Sequence, residues 1–406
     1  MTDLVQRLLT AVAEDRQDAG IAFSGSYQPV GGQGGKIMPP TYPVPDHEVR
    51  AAQREGRLPR PYLVERRLVD GHQRDTVVVD QVPSQANRVE EALLAARDAG
   101  RVDLPLFELT MKEEGVRLTS LDFPHRYADA YLRDSEVDGV RFDDSQVGRT
   151  LRRVSADDVR PLYRREPYSL VFGAWDSHRQ GRWPTFPRIY TSSMYGIEYL
   201  EGDRRAGRHD PLNLTGAIDD KGKAEGDWRF LAEGTRAKGR RLSEIGHGHI
   251  APHPPRAGAT TPAVRHAGVV VEEVRRTGWI SLAGLERLRF GDAPAEAATA
   301  ARATLAALAL MGDRLAFGRP SLWLRSGCDL TRISESVYFE RDGGVPEPVN
   351  VSVIEAVDAF VALRDRARAG GVIMDTDAVP VAPTRQLAEA IRAALTSTSG
   401  DGASGR

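Results

Sequence analysis

The sequence predicts an α+β protein in which strands and helices follow one another without a regular repeat. Short β-branched runs, such as 76–79, predict buried strands, and segments with apolar residues at helical spacing, such as Val353–Ala369, predict packed helices. The order lacks the strand–helix–strand alternation of a doubly wound parallel sheet. We therefore expect an α+β module with large loops.

Length and composition limit the classes of protein that fit. At 406 residues the chain exceeds the usual single-domain size, so two domains or one core with large insertions are expected. The net charge of −2 excludes a polycationic binder, so any nucleic-acid surface must be local. Cys328 is the only cysteine, which excludes an intrachain disulfide framework and fits a cytoplasmic protein. The most prominent apolar run, 305–311, is too short to span a bilayer, so no membrane partner is expected.

The N-terminal half contains four predicted features. The first residues, MTDLVQRLLTAVAEDR, predict an amphipathic helix. The Gly- and Pro-dense segment Phe23–Pro43 predicts a loop, Thr76–Ala96 a strand followed by a helix, and Tyr168–Trp175 a second buried strand. Because Trp175 ends this apolar strand, we expect it to pack in the core rather than to stack on a base.

The C-terminal half begins with an irregular segment, 201–261, that reads as an insertion. Regular structure then resumes with predicted strands at Gly268–Arg276, Ser321–Leu324 and Ser336–Glu340, and predicted helices at Ala295–Met311 and Val353–Ala369. The last residues, TSTSGDGASGR, are poor in apolar side chains and predict a disordered tail at 396–406.

The segment Thr76–Ala96, TVVVDQVPSQANRVEEALLAA, places polar residues where a strand leads into a helix. Apolar residues from Val82 onward fall on one helix face, which leaves Ser84, Gln85, Asn87 and Arg88 on the exposed side of the first turn. The unpaired N–H groups of a helix start favour an anion such as phosphate. From the residues alone, this interpretation and a plain Ser84 cap with a solvated polar face both fit.

Two further groups of basic residues stand out in the sequence. Arg179, Arg182 and Arg188 lie in and after a turn-rich segment. The stretch Lys221–Arg241 holds seven basic and three acidic residues, with Trp228 and Phe230 between them. In contrast, 112–144 has nine acidic and five basic residues, which favours a partner protein over phosphate.

Enzymatic motifs are weak in this chain. The loop GGQGGK at 31–36 does not satisfy the P-loop pattern, because Val30 and Ile37 occupy required Gly and Ser/Thr positions. The serious metal candidate is His247, His249 and His253 with Glu244, although the surrounding prolines also fit a rigid exposed loop. No cofactor and no resident metal are expected.

Six collinear segments resemble one known family: DQVPSQANRVEEAL, SLVFGAWDS, HDPLNLTG, RLSEIGHGHIAP, ISLAGLERLRF and LRSGCDL. They are similar to the CRISPR-associated RAMP backbone subunit of type I-U (also called I-G) Cascade, the Cas-seven type of the Csb family. The resemblance extends from about Tyr27 to about Leu330, and SQANR is its most specific part.

The resemblance implies an RRM-like (ferredoxin-like) palm with insertions at about 101–165 and about 201–262 that form thumb and finger elements. Residues 1–395 would then be a single RAMP module followed by the tail. Such subunits bind and do not cleave. The implied partners are the CRISPR guide RNA, target DNA through the guide, neighbouring copies and other Cascade subunits.

Within this resemblance, eleven residues become candidates for RNA contact: Ser84, Gln85, Asn87, Arg88, Arg179, Arg182, Arg188, Lys221, Lys223, Arg240 and Arg241. The chain lacks the paired aromatics of ordinary RRM motifs, so helix termini and loops, rather than the sheet face, are expected to hold RNA. Two alternatives stay open: a metal-dependent nuclease or RNA-processing enzyme that uses the histidine cluster, and a protein-interaction scaffold that uses the acidic region.

Overall fold

The structure is a computed structural model that describes residues 3–56, 59–175, 185–201, 211, 268–324 and 326–400, the side chains of 396–400 excepted. The chain divides into two compact units. The first unit comprises Met1–Pro40, Val64–Leu200 and Val270–Glu389, and the second comprises Thr41–Leu63, Glu201–Val269 and Ala390–Arg406. Most of the predicted insertion at about 201–262 lies outside the described residues.

The described elements confirm a mixed α+β protein. The helices are α1 (Asp3–Ala11), α2 (Asp46–Arg54), α3 (Val82–Asp98), α4 (Ala130–Arg133), α5 (Gln146–Leu151), α6 (Arg160–Arg165), α7 (Tyr168–Phe172), α8 (Leu282–Glu286), α9 (Ala295–Phe317), α10 (Val353–Ala369) and α11 (Arg385–Gly400). Short 3₁₀ helices occupy Arg126–Ala128 and Phe142–Asp144. None of the described helices combines the length and the apolar character needed to cross a membrane.

The strands are β1 (Asp18–Pro29), β2 (Lys36–Ile37), β3 (Val64–Val69), β4 (His72–Asp80), β5 (Leu106–Met111), β6 (Val116–Thr119), β7 (Ser135–Val137), β8 (Val140–Arg141), β9 (Tyr190–Ile197), β10 (Leu200–Glu201), β11 (Val269–Val270), β12 (Glu273–Ser281), β13 (Ser321–Trp323), β14 (Asp329–Arg341), β15 (Glu347–Val349) and β16 (Ala378–Pro383). A smaller sheet in the first unit has the order β6-β5-β16-β7-β8.

The large sheet of the first unit has the order β13-β14-β1-β12-β9-β4-β3, with β15 also paired to β14. All its neighbouring strands are antiparallel. Along the chain, α3 lies between β1 and β9, and α9 lies between β12 and β14. The four central strands therefore follow a β–α–β–β–α–β chain order while lying side by side as β14-β1-β12-β9.

Helices α3 and α9 cover one face of this sheet and pack on each other. Helix α9 is rich in alanine, and most of its side chains are buried. A Cβ atom at Gly312 of α9 would lie only 2.5 Å from the Cγ1 atom of Val89 in α3. The missing side chain thus allows the close approach of the two helices.

Several predicted elements are confirmed. The buried strand at 76–79 lies within β4, the helix that follows it is α3, and the last packed helix spans Val353–Ala369 as expected. The alanine-rich helix continues six residues beyond Met311, to Phe317. The strand expected at Gly268–Arg276 is divided between β11 and β12.

Two element predictions are wrong. Phe23–Pro29 is not a loop but part of β1, which lies between β12 and β14 and buries Phe23 and Tyr27. Tyr168–Phe172 is buried, as expected of this apolar run, but forms helix α7 rather than a strand. The backbone of 396–400 continues helix α11 and 401–406 lie outside the described residues, so the tail at 396–406 stays a prediction.

Candidate functional site

The first turn of α3 presents a positively polarised helix end that no side chain caps. Gln81, the N-cap residue, has extended backbone angles (φ −90°, ψ 165°), and it makes no side-chain capping bond. The first turn also contains no acidic residue that would offset the helix dipole. Ser84 is half-buried and Asn87 is exposed. This geometry rules out the plain Ser84 cap and retains the features that favour an anion.

Gln85 lies in the core, so the prediction that it is exposed is wrong. Its side chain is fully buried and donates a hydrogen bond to the carboxylate of Asp80. Its amide oxygen accepts from Ser192 Oγ at 2.9 Å and from Arg276 Nε at 3.3 Å. Gln85 therefore links the start of the helix to β4, β9 and β12 through hydrogen bonds, and its amide is not available for a ligand.

Arg88 joins α3 to the edge strand β13. Its Nη1 atom donates to the carbonyl oxygen of Trp323 at 3.1 Å, and its Nε atom lies 3.7 Å from Asp80 Oδ2. The Arg88 side chain is only 16% exposed, whereas Trp323 is 65% exposed. We refer to Ser84, Asn87 and Arg88 as the α3 patch.

A second candidate surface is an open pocket of about 280 Å³ in the first unit. It is lined by Pro124, His125, Arg126, Phe172, Gly173, Ala174, Trp175, Phe186, Pro187 and Arg188, and we call it the Arg188 pocket. Its rear wall connects to α3, because Arg126 pairs with Glu90 of that helix. Asn87 of the α3 patch lies in the same helix as Glu90, about one turn closer to the N-terminus.

Glu90 and Arg126 form a buried, bidentate ion pair. Arg126 donates from Nε to Glu90 Oε1 at 2.6 Å and from Nη2 to Glu90 Oε2 at 2.9 Å. Its Nη1 atom donates to the carbonyl oxygen of Gly173 at 2.8 Å. Burial raises the pKa of Glu90, while the charge and hydrogen bonds of Arg126 oppose that rise. The donors of Arg126 are thereby occupied by protein acceptors.

Arg188 has no comparable carboxylate of its own among the described residues. Its Nη1 atom is buried without a hydrogen-bond partner in the described part of the chain. Burial lowers the pKa of Arg188, and the neighbouring positive charge of Arg126 lowers it further. The negative charge of Glu90 offsets part of this effect. One carboxylate therefore faces two guanidinium groups, which leaves one positive charge for an anion.

The local backbone positions the side chain of Trp175 beside the guanidinium group of Arg188. Ala174 and Phe186 exchange backbone hydrogen bonds of 2.9 and 3.0 Å, which places Trp175 and Arg188 at the same pocket. Gly173 has a φ of +85°, and a Cβ atom there would lie 3.0 Å from Arg188 Cγ. Trp175 is 68% exposed, so the prediction that it packs in the core is wrong. Its indole is available for stacking.

The remaining predicted site residues are not described by the structure. Arg179 and Arg182 lie outside the described residues, as do Lys221, Lys223, Arg240, Arg241 and the histidine cluster His247, His249 and His253 with Glu244. Among the residues that are described, no group of three or more His, Cys, Asp or Glu side chains is placed to hold a metal ion.

Sequence reasoning missed Arg126 and the exposure of Trp175. Arg126 lies in the acidic segment 112–144, where phosphate contact was not expected. The available signal was Glu90, because a glutamate on the buried side of an amphipathic helix requires a buried cationic partner. For Trp175 the signal was Gly173, which ends α7 and turns the following residues away from the core.

A search of curated proteins found no significant match to this chain. A scan against protein families matched residues 21–199 to the family described as CRISPR-associated protein GSU0053. The matched segment contains the α3 patch and every residue that lines the Arg188 pocket. The chain is therefore similar, over the segment that builds its candidate site, to a CRISPR-associated protein, and the match supports that assignment.

Proposed function

We propose that this chain is a non-enzymatic backbone subunit of a type I-U (I-G) CRISPR Cascade effector. In this role it binds the guide RNA through the sugar–phosphate backbone and polymerises along it with further copies. Stretches of guide bases remain free to pair with target DNA, so sequence is read by RNA and the protein reads backbone shape. The family match at 21–199 supports a role in CRISPR defence, and the six segments support the finer assignment.

The order of the central sheet supports an RRM-like palm. The chain runs through β1, α3, β9, β12, α9 and β14, and the corresponding strands lie in the order β14-β1-β12-β9. This arrangement has the first strand in the centre beside the third and fourth, as in the ferredoxin-like split β–α–β motif. Strand β4, which precedes α3, extends the sheet beyond that motif.

The Arg188 pocket is the observation that carries the RNA-binding proposal. It combines an uncompensated, partly buried guanidinium with an exposed indole, which are the two groups that hold a single-stranded nucleic acid. A phosphate at Arg188 would balance the charge of the Glu90–Arg126–Arg188 cluster. The α3 patch lies one turn along the same helix and supplies Ser84 and Asn87 as further hydrogen-bonding groups.

Binding of a fluorescein-labelled single-stranded RNA, followed by fluorescence anisotropy, tests the proposal. We expect Arg188→Ala to weaken binding by about 10- to 100-fold, since a hydrogen-bonded charge contact to phosphate is lost. Arg385→Ala is the matched control, because it removes the same charge from a side chain that is 90% exposed on α11. It should bind RNA as the wild-type protein does.

Equal binding by the Arg188→Ala and Arg385→Ala variants would remove Arg188 from the site. Thermal unfolding of both variants checks that neither has lost its fold. The RNA recovered after incubation should be intact, as expected for a subunit that binds without cleaving. Chelator-sensitive cleavage that disappears in His249→Ala would instead support the metal-dependent nuclease.

A further inference from the structure

The face of the large sheet that α3 and α9 leave uncovered carries an unusual density of hydroxyl groups. Because side chains alternate along a strand, the register places residues of β1, β9, β12 and β14 in rows across this face. One row is Ser336, Ser24, Thr277 and Ser193. The adjacent rows add Thr191, Ser26 and Ser334. We call these seven residues the hydroxyl face.

All seven hydroxyl groups are available for hydrogen bonds. Each side chain is half-buried or exposed, and within the described part of the chain none of the seven makes a side-chain hydrogen bond to protein. Ser192, the immediate neighbour of Ser193 in sequence, points to the opposite face and is bonded to Gln85 and Arg276. Ser192 is thus paired on the helix-covered face, whereas the seven hydroxyl groups of the opposite face have no side-chain partner among the described residues.

Two aromatic side chains border the hydroxyl face. Tyr338 and Trp279 lie in one row on either side of Ala22, and both are half-buried. A Cβ atom at Gly20 would lie 2.1 to 2.5 Å from three ring atoms of Trp279, so the indole lies directly over the backbone of β1. The glycine thus holds the indole flat against the sheet. A flat ring beside hydroxyl groups is a platform for stacking.

Within these three rows, the charge is neutralised by the protein. Arg275 is the charged residue in the three rows, and it donates to Asp70 at 2.9 Å and to Glu273 at 3.0 Å. A phosphate would gain little from a guanidinium that is already paired with two carboxylates. A fitting ligand therefore has flat rings and many neutral donors and acceptors, which describes the bases and riboses of RNA and not its phosphates.

We infer that the hydroxyl face, with Trp279 and Tyr338, binds bases and riboses of single-stranded RNA. This inference rests on the proposed function and adds a second surface to it, distinct in chemistry from the Arg188 pocket. The hydroxyls both donate and accept, so the surface tolerates different bases, and the indole stacks on whichever base is presented. Stacking on the sheet thus occurs without the aromatic motif of ordinary RRM sequences.

The test compares two probes of equal length: a mixed-sequence single-stranded RNA, and the same backbone with abasic positions. We expect Trp279→Ala to weaken binding of the mixed-sequence RNA by about 5- to 100-fold, the range for one stacked base, and to leave the abasic probe unaffected. Gly20→Val, which places a side chain where the indole lies, should act in the same way. Leu68→Ala, which truncates an apolar side chain that is 80% exposed on β3, is the control and should change neither affinity.

The outcomes separate this inference from the proposed function. If the wild-type protein binds both probes but Trp279→Ala weakens neither, or weakens both equally, the hydroxyl face is not a base-binding surface and the backbone-binding role stands. If the wild-type protein binds neither probe, the proposed function and this inference both fail. Altered tryptophan fluorescence in the Gly20→Val variant would show that the indole is displaced. If that variant still bound the mixed-sequence RNA as tightly as the wild-type protein, the role of Trp279 would also be overturned.

Discussion

At the scale of single residues, the wall behind the Arg188 pocket contains a buried carboxyl group that is held in its protonated form. Glu166 is fully buried, and its Oε2 atom accepts hydrogen bonds from the backbone N–H and the hydroxyl of Ser169. Its Oε1 atom has no partner in the described residues. Burial raises the pKa of Glu166 to about 8, although the bonds from Ser169 oppose the rise.

The raised pKa of Glu166 predicts that the stability of the folded protein depends on pH. Its pKa is about 8 in the folded chain and near the ordinary value of 4.5 when unfolded, so between these values the folded state holds a proton that the unfolded state lacks. The contribution of this bound proton to the stability of the fold is fully present below pH 4.5 and is lost as the pH rises toward 8. Over that window the free energy of unfolding should fall by up to about 1.4 kcal/mol per pH unit.

Urea denaturation at several pH values across this window measures the effect. Glu166→Gln keeps the shape of the protonated side chain and cannot ionise, so the variant should lose this part of the pH dependence. Other titrating groups, such as Glu90, are present in both proteins, so their contributions to the pH dependence cancel when the two profiles are compared. Parallel pH profiles for the variant and the wild-type protein would show that Glu166 titrates normally.

At the scale of elements, α3 is the part of the molecule that links both candidate surfaces. Its inner side fastens the helix start to the sheet through Gln85, and Glu90 anchors Arg126 behind the pocket. Its outer side presents Ser84 and Asn87 at an uncapped positive end. One helix therefore separates its buried polar residues, which hold the fold, from Ser84 and Asn87 by position around the axis.

Substitutions in this helix should reveal that separation. Gln85→Leu removes one buried hydrogen-bond partner each from Asp80, Ser192 and Arg276, and we expect it to lower the free energy of unfolding by about 2 to 3 kcal/mol. Asn87→Leu, in the same turn but exposed, should change stability by less than about 0.5 kcal/mol. Urea denaturation checks both values, and comparable losses in the two variants would contradict the role of Gln85.

Local patterns predicted β4 and α3, because their β-branched run and helical spacing are properties of neighbouring residues. The burial of Gln85 could not be predicted in the same way. Its partners Ser192 and Arg276 lie on strands more than 100 residues away, and only the pairing of β9 with β12 brings them together. The same holds for Trp175, whose exposure depends on the bridge between Ala174 and Phe186.

At the scale of the whole molecule, the first unit presents three candidate surfaces of two chemistries, and in the role proposed above all three contact RNA. The Arg188 pocket and the α3 patch offer charge and a helix dipole, which suit phosphates. The hydroxyl face offers neutral hydroxyls and rings, which suit bases and riboses. The backbone subunit proposed above needs affinity for RNA without choice of sequence, and we expect this combination of surfaces to provide it.

The salt dependence of RNA binding tests the central claim, that this chain holds RNA through its phosphates, most directly. The logarithm of the binding constant of the wild-type protein should fall linearly with the logarithm of salt concentration, with a slope of about −0.7 for each phosphate contact. Arg188→Ala should make that slope shallower by about 0.7, while Trp279→Ala should lower affinity without changing the slope. A wild-type affinity that does not respond to salt would contradict the account.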